Sequence, residues 1–318
     1  MSVSTREAYG QALLDLADRY DYLVLDADLS KATQTVLFSK AHPDRFFNMG
    51  IAESNMMSVA AGMAACGETV FASSFAVFAA GRAFEQVRNS IAYPKLNVKI
   101  AATHGGVLIG QDGGSHQAIE DLSLMRTLPN MTVMAPCDEH SAKKAVEAAL
   151  QIDGPVYLRF GRFAPDADVY TADRAPFTVG KGNLLRQGDD VAIFAIGDLV
   201  CMALEAAKAL EARGIRAVVV DMHTIKPLDR RLVLEMAQRT GHLVTAEDHS
   251  VIGGLGSAVA EVLSEQPMAS LRRIGIHDSF GITGSRQELA QHFGLTPQHI
   301  AQVCLESLDR QGDTGMFR

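Results

Sequence analysis

The stretch Phe47-Asn48-Met49-Gly50-Ile51-Ala52-Glu53-Ser54-Asn55 runs straight into Met56, Met57, Val59, Ala60, Ala61, Met63, Ala64 and Ala65, and from Met49 to Gly67 its one formal charge is Glu53. A run this apolar and this rich in small residues predicts a buried helix from Ser54 to Ala65, with Glu53 at or just before its first turn. Acids are favoured there by the helix dipole. The position alone therefore fits an acid that serves its own helix, and what weighs against that reading lies further along the chain.

The helix belongs to a pattern. Helical periods over Glu7 to Tyr20, opened by Ser4 and Glu7 as a capping box, and over Gly81 to Ala92 and Glu139 to Gln151 alternate with β-branched runs at Tyr22 to Leu25, Thr69 to Phe71, Val98 to Ala102, Thr132 to Ala135 and Val156 to Phe160. Such alternation predicts an α/β fold, a mostly parallel sheet flanked by helices on both faces. From Phe163 to Asp190 it lapses into a Pro-, Asp- and Gly-rich stretch, and it resumes with Val191 to Ala195, a helix from Val200 to Arg213, Ala217 to Val220, a helix from Arg230 to Arg239, and His242 to Thr245. The chain divides accordingly into a first domain over 1–165, a linker over 166–188 and a second, smaller α/β domain over 189–318, whose last ten residues, Asp309 to Arg318, are expected to fray.

Composition narrows the classes. Hydrophobic residues at 47% and charged residues at 21% describe a globular protein and leave no case for disorder. A net charge of -8 without a Lys/Arg cluster argues against nucleic acid as a partner. No uninterrupted apolar stretch is long enough to span a membrane and the N-terminus has no signal-peptide core, so a cytoplasmic protein is expected. Cys66, Cys137, Cys201 and Cys304 form no Cys-x-x-Cys pair and suggest neither a zinc site nor a disulfide framework.

Chemistry concentrates in three places. Thr103 to Gln117 follows a buried-type strand, carries five glycines, His104, His116 and Asp112, and so has the make-up of a site loop at the carboxyl end of a parallel strand. Phe75 and Phe78 in Ser73 to Val87 have the spacing of ordinary core. Arg162 closes the strand Gly154 to Arg162 with a fixed charge and a fork suited to phosphate oxygens, or to a common surface ion pair. His249, between an acid and a glycine-rich turn, is a weak catalytic lead by itself.

Together these motifs resemble thiamine-diphosphate enzymes of the transketolase group. Gly50-Ile51-Ala52-Glu53 is similar to their activating-glutamate segment, which implies that Glu53 hydrogen-bonds the aminopyrimidine ring and favours the imino tautomer that takes the proton from the thiazolium carbon. Gly110-Gln111-Asp112-Gly113-Gly114-Ser115-His116-Gln117 resembles the Gly-x-Asp-Gly-x-Thr-His-Gln run of transketolases and deoxyxylulose-phosphate synthases, with Ser115 for Thr. The match implies that Asp112 and His116 line a substrate funnel, with His116 on the hydroxyl and carbonyl oxygens of a ketose donor. His104 matches a histidine of a Thr-His-Asp triplet, although Gly105 stands in place of that Asp. By the same resemblance Phe75 and Phe78 pack against the pyrimidine, a third aromatic falls on Gly81 or on Phe84, and Arg162 and Arg6 bind a sugar phosphate. The serine expected beside Arg6 falls on Ala32. Ile225 to Asp229 and Glu247 to Gly256 resemble the C-terminal domain, whose role is mainly structural and dimer-forming.

The resemblance spans about Ser4 to Leu308 yet accounts for only the second half of a full transketolase. The diphosphate-binding half, with its Gly-Asp-Gly segment, has no counterpart in the sequence. It implies a subunit that transfers a two-carbon ketol unit between sugar phosphates and shares thiamine diphosphate with an N-terminal transketolase subunit that binds Mg2+. The two would self-associate as a dimer of heterodimers. No metal ligand is expected on this chain. Other readings are a transketolase specialised for an unusual sugar phosphate such as apulose phosphate, a deoxyxylulose-phosphate-synthase-like or 2-oxo-acid dehydrogenase β subunit, and a non-enzymatic scaffold or regulatory half-transketolase.

Overall fold

The computed structural model describes residues 2–172 and 174–309. Fraying expected beyond Asp309 therefore lies outside the described residues. Two mostly parallel sheets flanked by helices make up the molecule, as the alternation predicts. The first half contributes β1 (Leu23–Asp26), β2 (Phe46–Asn48), β3 (Val70–Phe75), β4 (Val98–Thr103), β5 (Thr132–Met134) and β6 (Val156–Arg159). From the second half come β7 (Asn183–Arg186), β8 (Val191–Ala195), β9 (Ala217–Asp221), β10 (Thr224–Lys226), β11 (His242–Ser250) and β12 (Ser270–Ile276).

The seven-stranded sheet runs β10-β5-β6-β4-β3-β1-β2 and the five-stranded sheet β12-β11-β8-β9-β7. β3 and β4 are buried along their whole length, as expected of central parallel strands covered on both faces. Among the named strands antiparallel pairing is confined to β10 with β5 and β7 with β9, each at a sheet edge. β7 lies within the stretch read as linker, where Leu184 pairs with Val220.

β10 comes from the second half of the sequence and completes the first sheet. Lys226 fixes it there, its Nζ donating to the carbonyls of Arg126 at 2.9 Å and of Leu128. Hydrophobic packing is continuous between the halves, since one core holds Leu25, Ala72 and Ile100 together with Phe194, Val220 and Ile225. Among the described residues no helix is long and apolar enough to cross a membrane.

The helices that were expected fall close to their positions, with one difference. The single helix expected from Gly81 to Ala92 is three pieces, a wide π-type segment Val77–Arg82, a short α-helix Phe84–Gln86 and a second wide segment Val87–Ala92. Such widened turns gather at functional sites, and this one carries both Phe78 and Arg82.

Candidate active site

Four strands of the first sheet deliver the sequence-predicted residues at their carboxyl ends. Glu53 follows β2, Phe75 ends β3, His104 follows β4, and Arg162 lies shortly after β6. Ligand crevices of parallel sheets form at this edge.

Glu53 opens the helix Glu53–Ala65 and is 2% exposed. Among the described residues its carboxylate has one hydrogen-bond partner, Arg82, whose Nη1 donates to Oε2 at 2.8 Å. Arg82 reaches in from the rim with a side chain 50% exposed, and its guanidinium lies 4.5 Å from the Phe78 ring centre. The rings continue inward. Phe78 stacks on Phe75 at 6.1 Å, Phe75 lies 3.9 Å from the His104 ring, and His116 meets Phe78 edge-on at 5.3 Å. A buried carboxylate, a planar cation and four rings thus form one surface.

His104 is buried and held at φ 60°, with Nδ1 2.9 Å from Thr103 Oγ1. Burial, reinforced by the charges of Arg6, Arg162 and His116, pushes its pKa down to about 3. It is therefore a neutral imidazole that offers a hydrogen bond without a charge. His116 is half-buried, with Nδ1 2.9 Å from Ser115 Oγ.

Beside the rings lies a cationic rim. Arg162 pairs with Asp112 at 3.0 Å and donates to the Ile109 carbonyl at 2.7 Å, both from Nη1. Arg6 donates through Nε to the Arg162 carbonyl at 2.9 Å and through Nη1 to that of Ala32 at 3.0 Å. Burial lowers the Arg6 pKa, with Arg162 acting in the same sense.

Phe84 stands apart, packed half-buried on the core of the first sheet. Sequence reasoning gave no role to Arg82, yet it sits four residues after Phe78, the spacing at which helical neighbours meet. Nor did it place the run Glu247-Asp248-His249 at the end of β11. His249 is fully buried, its pKa lowered to about 4 chiefly by burial, and its Nε2 accepts from the Ser123 amide at 3.3 Å. That is a structural joint between the two halves.

Comparison with known proteins identifies both halves of the chain. Residues 1–164 match the transketolase pyrimidine-binding domain and residues 180–300 the transketolase C-terminal domain. A Methanocaldococcus jannaschii protein provisionally named transketolase C-terminal section is 46% identical, over 96% of this chain and 96% of that protein. A 6-deoxy-6-sulfo-D-fructose transketolase subunit of Clostridium sp. strain MSTE9 is 44% identical, over 96% of this chain and 95% of its own length. Among solved structures, one described as a split-gene transketolase in an inactive beta4 tetramer superposes with a TM-score of 0.90 at 54% identity, over 96% of this chain and 99% of that one.

Proposed function

The chain belongs to the transketolase family, and on that premise we propose that it is the pyrimidine-side subunit of a two-chain transketolase that moves a ketol unit between sugar phosphates. The observation that carries this reading is the buried Glu53 carboxylate joined through Arg82 to the Phe78, Phe75, His104 and His116 rings. Support for a second chain comes from relatives of the same length named as a section or a subunit, and from the related split-gene tetramer described as inactive.

The residues present fit one end of thiamine diphosphate. Glu53 would hold the aminopyrimidine edge and Phe75 and Phe78 its face, and the bound cofactor would supply the electron sink for carbon–carbon cleavage. Among the described residues no cluster of three or more His, Cys, Asp or Glu side chains is placed to hold a metal ion. We assign Mg2+ and the diphosphate to the second chain, in a dimer of heterodimers.

Each residue here then has a physical task. Glu53 holds and moves a proton at a carboxylate oxygen shielded from water. Arg82 occupies that oxygen and yields it. It is half exposed and can turn to water, and the Glu53 oxygen it leaves would be taken up by the aminopyrimidine edge. Neutral His104 and half-buried His116 orient the hydroxyl and carbonyl oxygens of the donor. Arg162, aligned by Asp112, grips a terminal oxyanion together with Arg6. The sulfo-sugar relative motivates a second reading, because a sulfonate is also a terminal oxyanion and suits the same two arginines.

The test is reconstitution. Ketol transfer from a ketose phosphate to an aldose phosphate should be absent with this chain alone and appear on mixing with a chain that carries the Gly-Asp-Gly segment. Full activity of the isolated chain would contradict the two-chain reading.

A further inference from the structure

We infer that Asp248, carried by the second sheet, is a positioning residue that holds the glycine-rich loop of the first domain so that His104, Asp112 and His116 face the reacting sugar. The inference rests on the transketolase reading for its consequence, and on the following geometry for its cause.

Asp248 lies at the end of β11 with its side chain buried. Its Oδ1 accepts from the Val107 amide at 2.8 Å and its Oδ2 from the Leu108 amide at 3.0 Å. One carboxylate on two successive amides fixes the intervening peptide plane, and bonds to a charged acceptor are about twice as strong as neutral ones. The trailing side of the loop is tied to the same residue. Arg159 Nη2 donates both to the Asp248 carbonyl at 2.9 Å and to the Ala118 carbonyl at 3.1 Å, while its Nε is anchored on buried Asp121 at 2.8 Å. The Gly106 amide closes the base of the loop on Ala118 at 2.8 Å. Both ends of the segment that displays Asp112 and His116 thus converge on Asp248.

Two further features fit. Gly106 has φ 83°, and a Cβ there would collide with the Asp248 carboxylate, so residue and loop approach as closely as glycine permits. Val107 and Leu108 are buried in the core of the second sheet with Val191, Ile193 and Val200, so the loop is seated in one domain and displays its side chains in the other. Burial pushes the Asp248 carboxyl up to about 6, opposed by Arg159 and the two amides. At pH 7 and above it remains an acceptor at both oxygens.

Asp248→Asn separates this role from simple stability, because asparagine keeps the size but presents an amide NH2 to a backbone N–H. In the isolated chain, hydrogen exchange of the 105–118 segment should rise at least tenfold, with exchange of the β-strand cores unchanged. In the reconstituted enzyme kcat/KM should fall about thirty- to a hundredfold, the scale of a misplaced catalytic group. Gly106→Ala, pressing on the carboxylate from the loop side, should reproduce both effects. Glu247→Gln, which weakens the neighbouring helix cap, should lower the melting temperature and leave loop exchange and kcat/KM as they are. Unchanged loop exchange in Asp248→Asn, or faster exchange with unchanged kcat/KM, would overturn the inference. A wild-type complex without ketol transfer would count against the functional reading alone, and the exchange result would still decide whether Asp248 holds the loop.

Discussion

Two buried glutamates stand at helix N-termini, one in each half, and they differ in what their oxygens face. Glu247 is fully buried, with Oε2 accepting from the Leu255 amide at 2.6 Å and Oε1 from the Gly256 amide at 2.7 Å. Both oxygens are spent on the helix Leu255–Glu265, and nothing remains for a ligand. Glu53 is almost as buried, but its partner is a side chain that enters from solvent. Burial of an acid therefore does not mark a catalytic group. On the proposed reading, the mark is a displaceable partner set beside aromatic rings.

The largest expected effect breaks that comparison open. In the reconstituted complex, Glu53→Gln should lower kcat by about a hundredfold or more, as expected when an acid–base group is lost, with assembly intact. Glu247→Gln should instead reduce stability by about 1–3 kcal/mol, since one of two buried amides loses its acceptor, and leave kcat alone. Steady-state kinetics and urea denaturation on both variants decide. Equal effects on kcat would erase the distinction.

Next in size is the cationic rim. Arg162→Ala should raise KM for a phosphorylated acceptor by about 1.5–3 kcal/mol in free energy, with a smaller change in kcat, because it removes binding common to ground and transition states. Lysine should restore only part of this, since it keeps the charge and loses the fork. An unphosphorylated acceptor should be nearly indifferent, and equal losses on both would make Arg162 structural.

A third effect follows from His104. Its folded pKa is depressed to about 3, below the ordinary value of about 6.5, so its contribution to stability is present above pH 6.5 and lost as pH falls. Between about pH 7.5 and about pH 5 that loss amounts to about 2 kcal/mol. The decline in unfolding free energy over this range should be smaller by that amount in His104→Asn. The raised pKa of Glu247, about 7, has the opposite sign, its contribution being lost as pH rises. An unchanged pH slope in His104→Asn would mean that the imidazole is protonated in the folded chain.

The smallest effect concerns Arg82. If Arg82 only occupies the Glu53 oxygen until the cofactor takes it, Arg82→Ala should leave thiamine-diphosphate binding to the complex unweakened. Calorimetry giving a much weaker affinity would make Arg82 a ligand in its own right.

Legibility in the sequence followed the same divide between local and distant partners. β3, β4, β6, β8 and β11 could be read from β-branched runs, and the ends of β4 and β6 pointed to His104 and Arg162, whereas Glu53 and Phe75 were read from their motifs. The edge strands β2, β7 and β10 hold only one or two apolar residues each beside polar ones, so no apolar run marks them. Arg82 and Asp248 were missed for a related reason. Their partners lie 29 and 141 residues away, and contacts at such separations leave no imprint on local pattern. Ile225 to Asp229 was recognised as a motif, but nothing local shows that it crosses to pair with β5.

The claim that matters most is that Glu53, and not its counterpart Glu247, works on the cofactor. It is tested most directly by the rate at which the thiazolium proton of thiamine diphosphate exchanges with deuterium in the reconstituted complex, read by quenched-flow proton NMR without any sugar present. The expected result is an exchange rate about a hundredfold lower in Glu53→Gln and unchanged in Glu247→Gln. Exchange at the wild-type rate in Glu53→Gln would contradict it and return Glu53 to service of its own helix.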